Sequence, residues 1–157
     1  MSDLAIRAAE PRDDDDLFRI YAAVVEEGGA FPREAPADEL MFREGWFEGK
    51  SAVFVAEVDG VPAGSYHLQP NFEGTAAHIA NAGYMVARAY RRHGAGRALV
   101  EHSLEEARRQ GFDAMMFNLV LESNPSRHLY EGFGFKKVGR VPEAIGGEDA
   151  IVYWRKL

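Results

Sequence analysis

The feature that most constrains this chain is a crossover unit between residues 76 and 121. A strand predicted over 76–87 leads through a glycine-bearing turn into a helix predicted over 94–110, and a mostly apolar run, 114–121, follows it. A helix that crosses over between two strands returns the chain to the same end of the sheet, so we expect these strands to be parallel. An apolar run of this kind predicts a central strand that is buried on both faces.

The rest of the sheet is predicted to be mostly antiparallel. Further strands are predicted over 4–9, 51–58, 63–69, 135–141 and 150–155. Asp59-Gly60, between the second and third strands of the chain, is a dipeptide typical of tight hairpin turns. With 157 residues the chain can bury one sizeable core, and no linker divides it. We therefore predict an α/β (α+β) fold of one domain, 1–157, in which helices flank a mixed sheet.

Two helices are predicted before the first hairpin. Leu17, Ile20, Tyr21 and Val24 fall at helical spacing and form an apolar stripe that Gly28 ends. A second helix, predicted over 38–48, carries several aromatic side chains. These aromatic side chains either line a substrate cleft or pack against the sheet.

Composition excludes several classes of function. The 18 Lys and Arg against 25 Asp and Glu give a net charge of −7, which is unfavourable for binding nucleic acid. The chain has no cysteine, which excludes a thiolate nucleophile. Its five histidines lack the close spacing typical of metal ligands, so we predict no metal site. No apolar run is long enough to span a membrane and no leader precedes the first strand, which predicts a cytoplasmic protein.

The turn between the predicted strand 76–87 and the helix 94–110 has the properties of an anion site. Gly94 and Gly96 allow close backbone approach, the helix N-terminus presents unpaired N–H groups, and three arginines and His93 surround it. The segment does not match the dinucleotide-binding fingerprint, because Leu99 stands where that motif needs its third glycine. It does not match the phosphate-binding P-loop either, because the Lys-Ser/Thr of that motif is absent. A diphosphate-binding loop and a tight turn with a solvated basic rim both remain open on this pattern.

Two segments resemble one known family. Residues 91–96, Arg-Arg-His-Gly-Ala-Gly, resemble the Arg/Gln-x-x-Gly-x-Gly/Ala signature of the GCN5-related N-acetyltransferases (GNAT family). Residues 124–135 resemble the Asn…Tyr…Gly-Phe block of that family, although Arg127 or His128 stands where a small residue is usual. The order of elements is similar over nearly the whole chain. The resemblance implies a GNAT fold and acetyl-CoA as the acetyl donor.

A narrower resemblance concerns the acceptor. Residues 117–120, 123–126 and 139–144 are similar to a branch that includes fungal proline-analogue N-acetyltransferases. This similarity implies transfer to the amine of a small molecule, such as an amino acid or a toxic analogue. The alternatives are acetylation of protein N-termini or lysines, and a CoA-binding sensor without catalysis. We expect the aromatic helix and the loop 142–148 to close the acceptor groove, and the resemblance also allows a homodimer.

The resemblance assigns the contacts to the cofactor. Backbone groups near Val86 would pair with the pantetheine arm, and N–H groups at the start of the crossover helix would hold the pyrophosphate. Asn124 serves as a helix N-cap, as a donor to the CoA arm, or as both. The predicted cofactor contacts are Met85, Val86, Ala87, Arg91, Arg92, His93, Gly94, Ala95, Gly96, Arg97, Asn124 and Tyr130.

Two groups are predicted to act in catalysis. The Val86 N–H is placed to polarise the thioester carbonyl, and Tyr130 stands at the position that the family uses for a general acid. A phenol with an ordinary pKa of about 10 is protonated at pH 7 and can donate to a departing thiolate. The alternative for Tyr130 is a packed tyrosine of the helix. No general base is assigned, and the weak candidates are Glu27, His78, Tyr84 and Glu122.

Asn81 and Asn118 interrupt the two central apolar strands. A buried amide without a hydrogen-bond partner costs about 1–3 kcal/mol, so something must satisfy each of them. If the strands part to admit the cofactor, both amides are expected to bind a carboxylate of the substrate. Pairing with the backbone is the alternative.

Overall fold

The computed structural model describes residues 2–157. Over these residues the chain forms seven strands and four α-helices. The strands are β1 (Leu4–Ala8), β2 (Ala52–Val58), β3 (Val61–Pro70), β4 (Ile79–Val86), β5 (Ala114–Leu121), β6 (Lys136–Ile145) and β7 (Glu148–Lys156). The helices are α1 (Asp14–Glu27), α2 (Glu39–Trp46), α3 (Ala95–Arg109) and α4 (Ser126–Gly132). No helix within 2–157 combines the length and the apolar character needed to cross a bilayer.

All seven strands form one sheet in the order β1-β2-β3-β4-β5-β7-β6. Every neighbouring pair is antiparallel except β4 and β5, which are parallel and joined through α3. Asp59 and Gly60, at the β2–β3 turn, have φ values of 51° and 80°, as the predicted hairpin turn requires. The predicted mixed, mostly antiparallel sheet with a central parallel unit is confirmed.

The parallel strands stay together only at their beginnings. β4 pairs with β5 from Ile79↔Ala114 to Asn81↔Met116, and β4 then continues for five more residues without pairing to β5. On its other side β5 changes register against β7 between Phe117 and Val120. Asn118 lies at this irregularity and is exposed, so the prediction of a strand buried on both faces is wrong at that point. A wedge-shaped gap therefore opens in the middle of the sheet.

The two faces of the sheet carry separate cores. α3 packs on one face, where it covers a cluster that includes Tyr66 and Met115. α1 and α2 pack on the other face around Leu17 and Trp46. The Trp46 Nε1 donates a hydrogen bond of 2.9 Å to the Ser65 hydroxyl of β3 and so ties α2 to the sheet. The aromatic residues of α2 thus belong partly to the core.

The predicted loop 142–148 is mostly the end of a hairpin. β6 runs on to Ile145, and β7 begins at Glu148 after a turn whose glycines, Gly146 and Gly147, both have positive φ. The consecutive glycines allow a tight turn here, and the strands pair again at Ile145↔Glu148 after a register shift over residues 142–144.

Candidate active site

A cavity of about 1060 Å³ lies where β4 and β5 part. Its walls come from β3, β4, β5, the helices α1 and α2 with the loop between them, and the first turns of α3 and α4. Nine of the predicted site residues line it: Asn81, Met85, Val86, Arg91, Arg92, Gly96, Asn118, Asn124 and Tyr130. Five others are not among its lining residues: Ala87, His93, Gly94, Ala95 and Arg97.

The backbone of Val86 faces the gap. Ala87 donates its N–H to the carbonyl of Ala63 at 2.8 Å, and in an antiparallel ladder alternate residues direct their N–H and C=O groups to opposite neighbours. Val86 therefore directs its N–H and its carbonyl away from β3, towards the side that β5 has left. The Nε of Arg91 lies 3.3 Å from this carbonyl, which agrees with that orientation. An unpaired N–H at this place is available to a ligand.

The same ladder removes two predicted backbone contacts. The N–H of Ala87 is already donated to Ala63, and its carbonyl accepts a bond of 2.9 Å from the N–H of Tyr90. Met85 is paired with Ser65 and shares the orientation of Ala87, so its backbone groups are directed at β3. The expectation that Met85 and Ala87 pair with a ligand through their backbones is not supported. Of these three residues, only Val86 presents its backbone groups to the gap.

The start of α3 forms one end of the cavity. Gly94 is the N-cap residue, with a φ of 86° that favours glycine, and the N–H groups of Ala95, Gly96 and Arg97 have no carbonyl one turn earlier. A Cβ built on Gly96 would lie 3.9 Å from Cγ2 of Val86, so the helix end sits beside the open strand edge. This combination of a helix N-terminus and a glycine without a side chain fits the pyrophosphate of a nucleotide-linked cofactor.

Arg91 does not stand free beside this helix end. Its guanidinium forms two hydrogen bonds of 2.7 Å with the carboxylate of Glu27 at the end of α1. Arg91 lowers the pKa of the Glu27 carboxyl, which also removes Glu27 as a general base at neutral pH. The Glu27 carboxylate offsets much of the positive charge that the prediction assigns to Arg91 for binding the cofactor. Arg92 also lines the cavity, and it forms no salt bridge among the described residues.

The other three candidate bases are also unsuited to that role. The hydroxyl of Tyr84 lies 2.6 Å from Ser103 Oγ, and burial raises the Tyr84 pKa far above its ordinary value. His78 is paired with Asp113 at the other end of β4, and Glu122 with Arg140. Neither His78 nor Glu122 is among the residues that line the cavity. None of the four candidates is therefore assigned as the base.

Tyr130 lies in the cavity wall among aromatic rings. Its ring centroid is 4.6 Å from that of Phe117 and 6.2 Å from that of Tyr84. Burial raises the pKa of the Tyr130 phenol to about 12, an effect that the nearby Ser126 hydroxyl partly opposes. The phenol therefore keeps its proton at neutral pH, as a general acid must.

Asn124 lies one residue before the N-cap of α4, which is Pro125, so the predicted N-cap is displaced by one residue. Its Oδ1 accepts a hydrogen bond of 2.8 Å from the N–H of Ser126, the first residue of α4. Asn124 also lines the cavity. The bond to Ser126 and a contact with a ligand are compatible, because the bond uses only the amide oxygen.

The two central asparagines have partners within the protein. The Nδ2 of Asn81 donates to the carbonyl of Met116 at 3.0 Å, and Asn118 exchanges two amide hydrogen bonds of 2.7 and 3.0 Å with Asn71. Both asparagines line the cavity, but they are satisfied without a substrate. The premise of two buried amides in need of a ligand is therefore wrong.

The opposite end of the cavity holds residues that sequence reasoning did not assign to the site. Tyr21, Phe31 and Trp46 form an aromatic cluster there, with ring centroids 5.6 to 6.1 Å apart. The His67 ring packs edge-on against Trp46 with centroids 4.6 Å apart. Ser65, His67 and Gln69 alternate along β3, and this period of two was the available signal that they share the face covered by α2.

His67 is the unusual member of this group. It is 7% exposed, and its Nδ1 is buried without a hydrogen-bond partner. Burial, together with the charge of Lys50, lowers the pKa of the imidazole to about 3, so the ring is neutral at physiological pH. A group with so low a pKa is a poor general base.

Comparison with known proteins identifies the family. A profile described as the acetyltransferase (GNAT) family matches residues 15–135. The chain belongs to the GNAT family. The match includes β4, β5, α3 and α4, and hence every residue that lines the cavity.

The relatives of this GNAT protein include both a sequence relative and solved structures. N-acetyltransferase aca1 of Schizosaccharomyces pombe is 37% identical over 97 residues, 57% of this chain and 46% of the relative. The chain thus spans about half the length of this curated relative. A GCN5-related N-acetyltransferase from Kribbella flavida is 33% identical with a TM-score of 0.92, over 98% of both chains. A phosphinothricin acetyltransferase from Sinorhizobium meliloti, solved with acetyl-CoA, is 22% identical with a TM-score of 0.84, over 98% of this chain and 88% of that one.

Proposed function

We propose that this GNAT protein transfers an acetyl group from acetyl-CoA to the amine of a small molecule. The observation that carries the proposal is the unpaired N–H of Val86 at the gap between β4 and β5, next to the N-terminus of α3. This arrangement offers one donor for a thioester carbonyl and a cluster of donors for a pyrophosphate. Family membership and a relative solved with acetyl-CoA support the donor.

The chain supplies two of the functions that acetyl transfer needs. When bound, acetyl-CoA provides an acetyl thioester that is reactive towards amines. The Val86 N–H is placed to stabilise negative charge on the thioester oxygen, and Tyr130 holds a proton for the departing thiolate. An acceptor amine with a pKa near 8 loses its proton to water without a side chain, whereas an alkyl amine with a pKa near 10.4 reacts at neutral pH through its small neutral fraction.

A small acceptor agrees with the shape of the cavity. The aromatic cluster of Tyr21, Phe31 and Trp46 lines the end opposite α3 and gives it an apolar wall. The segment 142–148, which was expected to help close the groove, is not among the lining residues. An amino acid or an analogue is the finer prediction, supported by the resemblance to the fungal branch and by the S. pombe relative. Acetylation of proteins, cytoplasmic localisation and a homodimer stay as untested predictions.

The experiment that tests the proposal combines a charge change with an isosteric control. In Gly96→Asp a carboxylate replaces the bare backbone beside Val86, whereas Gly96→Asn adds the same volume without the charge. Acetyl-CoA should raise the Tm of the wild type, because it binds the native state. The shift and the acetyl transfer to a panel of amines should be lost in Gly96→Asp and partly retained in Gly96→Asn. An undiminished Tm shift in folded Gly96→Asp contradicts the proposed site.

A further inference from the structure

The charge of the cavity differs from the charge of the whole chain. The chain carries −7, yet four cationic side chains and only two carboxylates line the cavity. Arg91 and Arg92 lie at the α3 end, where a pyrophosphate explains them. Arg33 and Lys50 lie at the other end, together with the carboxylate of Glu44. The proposed donor does not account for this second pair of cations.

Arg33 and Lys50 form no salt bridge with any residue in 2–157. The Lys50 Nζ donates to the carbonyls of Glu44 and Glu48 at 3.3 and 3.0 Å. An ammonium has three donors, so these bonds leave one for a ligand. Arg33 and Lys50 line the same cavity, and burial, followed by the charge of Arg33, lowers the Lys50 pKa. An anion between them would relieve this repulsion.

His67 lines the same cavity as the two cations. Its imidazole is more than nine-tenths buried and neutral at physiological pH, and its Nδ1 has no hydrogen-bond partner. Nδ1 is enclosed by protein, so a ligand in the cavity meets other atoms of the ring and not this nitrogen. The ring therefore adds an uncharged wall to the part of the cavity that holds Arg33 and Lys50.

We propose that the acceptor amine carries a carboxylate that binds between Arg33 and Lys50, beside His67. This inference rests on the proposed acetyl transfer and names the substrate class for it. His67 pairs with Gly83, three residues before Val86, which places His67 roughly 10 Å from the reacting end along the strand, and we place the carboxylate at the level of His67. The carboxylate is therefore several bonds away from the amine, as in an ω-amino acid or an amino acid with an acidic side chain. Arg33 and Lys50, rather than Asn81 and Asn118, hold it.

The test measures kcat and KM with saturating acetyl-CoA for pairs of acceptors that differ only in charge. The pairs are β-alanine and β-alaninamide, 4-aminobutyrate and 4-aminobutanamide, and glutamate and glutamine. At least one acid should exceed its amide about tenfold in kcat/KM, the ratio that one lost charged contact produces. Arg33→Gln and Lys50→Gln should abolish that preference through KM. Lys136→Gln, which removes an exposed cation from β6, is the matched control and should preserve it.

The outcomes separate the two proposals. If the amides react as well as the acids in every pair, or if the preference survives both substitutions, the carboxylate site is wrong while acetyl transfer stands. If acetyl-CoA is bound but no amine of the panel reacts, the acetyl-transfer proposal fails. A Tm of Lys50→Gln far below that of the wild type shows a role in holding α2, and Arg33→Gln, at an exposed position, then decides the site.

Discussion

Tyr130 keeps its proton throughout the neutral range because the aromatic rings around it exclude water from the phenol. Tyr130→Phe should lower kcat by about 10²–10⁴-fold and leave acetyl-CoA binding almost unchanged, because general-acid help appears only in the transition state. Rapid-quench kinetics with a good acceptor, under conditions in which chemistry limits the rate, will measure this.

Tyr66→Phe is the matched control for Tyr130→Phe. Tyr66 is fully buried on the α3 side, its hydroxyl bonds to Nδ1 of His102 at 2.8 Å, and it does not line the cavity. This variant should lose stability but keep kcat. If kcat falls equally in both variants, Tyr130 has only a packing role.

His67 predicts a specific dependence of stability on pH. The unfolded imidazole takes up a proton near its ordinary pKa of 6.5, whereas the folded one does so only near 3. Between these values the unfolded state binds more protons, so the free energy of unfolding falls as the pH falls, by up to about 1.4 kcal/mol per pH unit. The His67→Gln variant has no imidazole here and therefore lacks this pH-dependent contribution to the free energy of unfolding. Urea unfolding between about pH 7 and pH 5 should therefore show a shallower loss of stability for the variant, and parallel curves would contradict the buried neutral imidazole.

At the scale of the elements, Gly83 on β4 makes room for His67 on β3. A Cβ at Gly83 would meet the His67 Nε2 at a distance no real structure permits, so the ring must move. Gly83→Ala should lower the free energy of unfolding by about 1–3 kcal/mol and raise the acceptor KM. Chemical unfolding and steady-state kinetics measure the two effects.

Gly139→Ala provides the comparison within another strand. Its Cβ would lie 3.7 Å from Val152, an ordinary contact, and Gly139 has no positive φ. This substitution should be neutral or stabilise by about 0.4–1 kcal/mol, because it restricts the unfolded chain. Equal losses of stability in the two variants would show that Gly83 has no special relation to His67.

At the scale of the whole molecule, a chain of charge −7 surrounds a cavity with an excess of cations. The Debye length shortens from about 10 Å at 0.1 M salt to about 3 Å at 1 M, so salt should weaken the attraction of the cavity for anions. The KM for acetyl-CoA should rise several-fold over this range, and the KM of a carboxylate acceptor should rise with it. The KM of the matched carboxamide should stay nearly constant. Equal salt effects on acid and amide would contradict a cationic acceptor end.

The order of elements was predictable because its signals are local. The apolar stripe of α1, the Asp-Gly turn before β3 and the glycine at the start of α3 each act within a few residues. The family resemblance predicted that Tyr130 belongs to the site, and the structure places this residue in the cavity wall. The sequence by itself thus determined the fold class, the family and the loop at which α3 begins.

Tertiary structure decided which of these side chains and backbone groups are available. Glu27 and Arg91 are 64 residues apart, and only the packing of α1 beside the α3 loop brings them into the ion pair that offsets the arginine charge. The ladder between β3 and β4 decided that Val86, and not its neighbours, faces the gap, since hydrogen-bond direction depends on register. The buried state of His67 likewise arises only when α2 covers β3. Contacts between residues far apart in the sequence determine which pKa values are shifted and which hydrogen-bond donors stay unpaired. No local sequence pattern encodes these contacts.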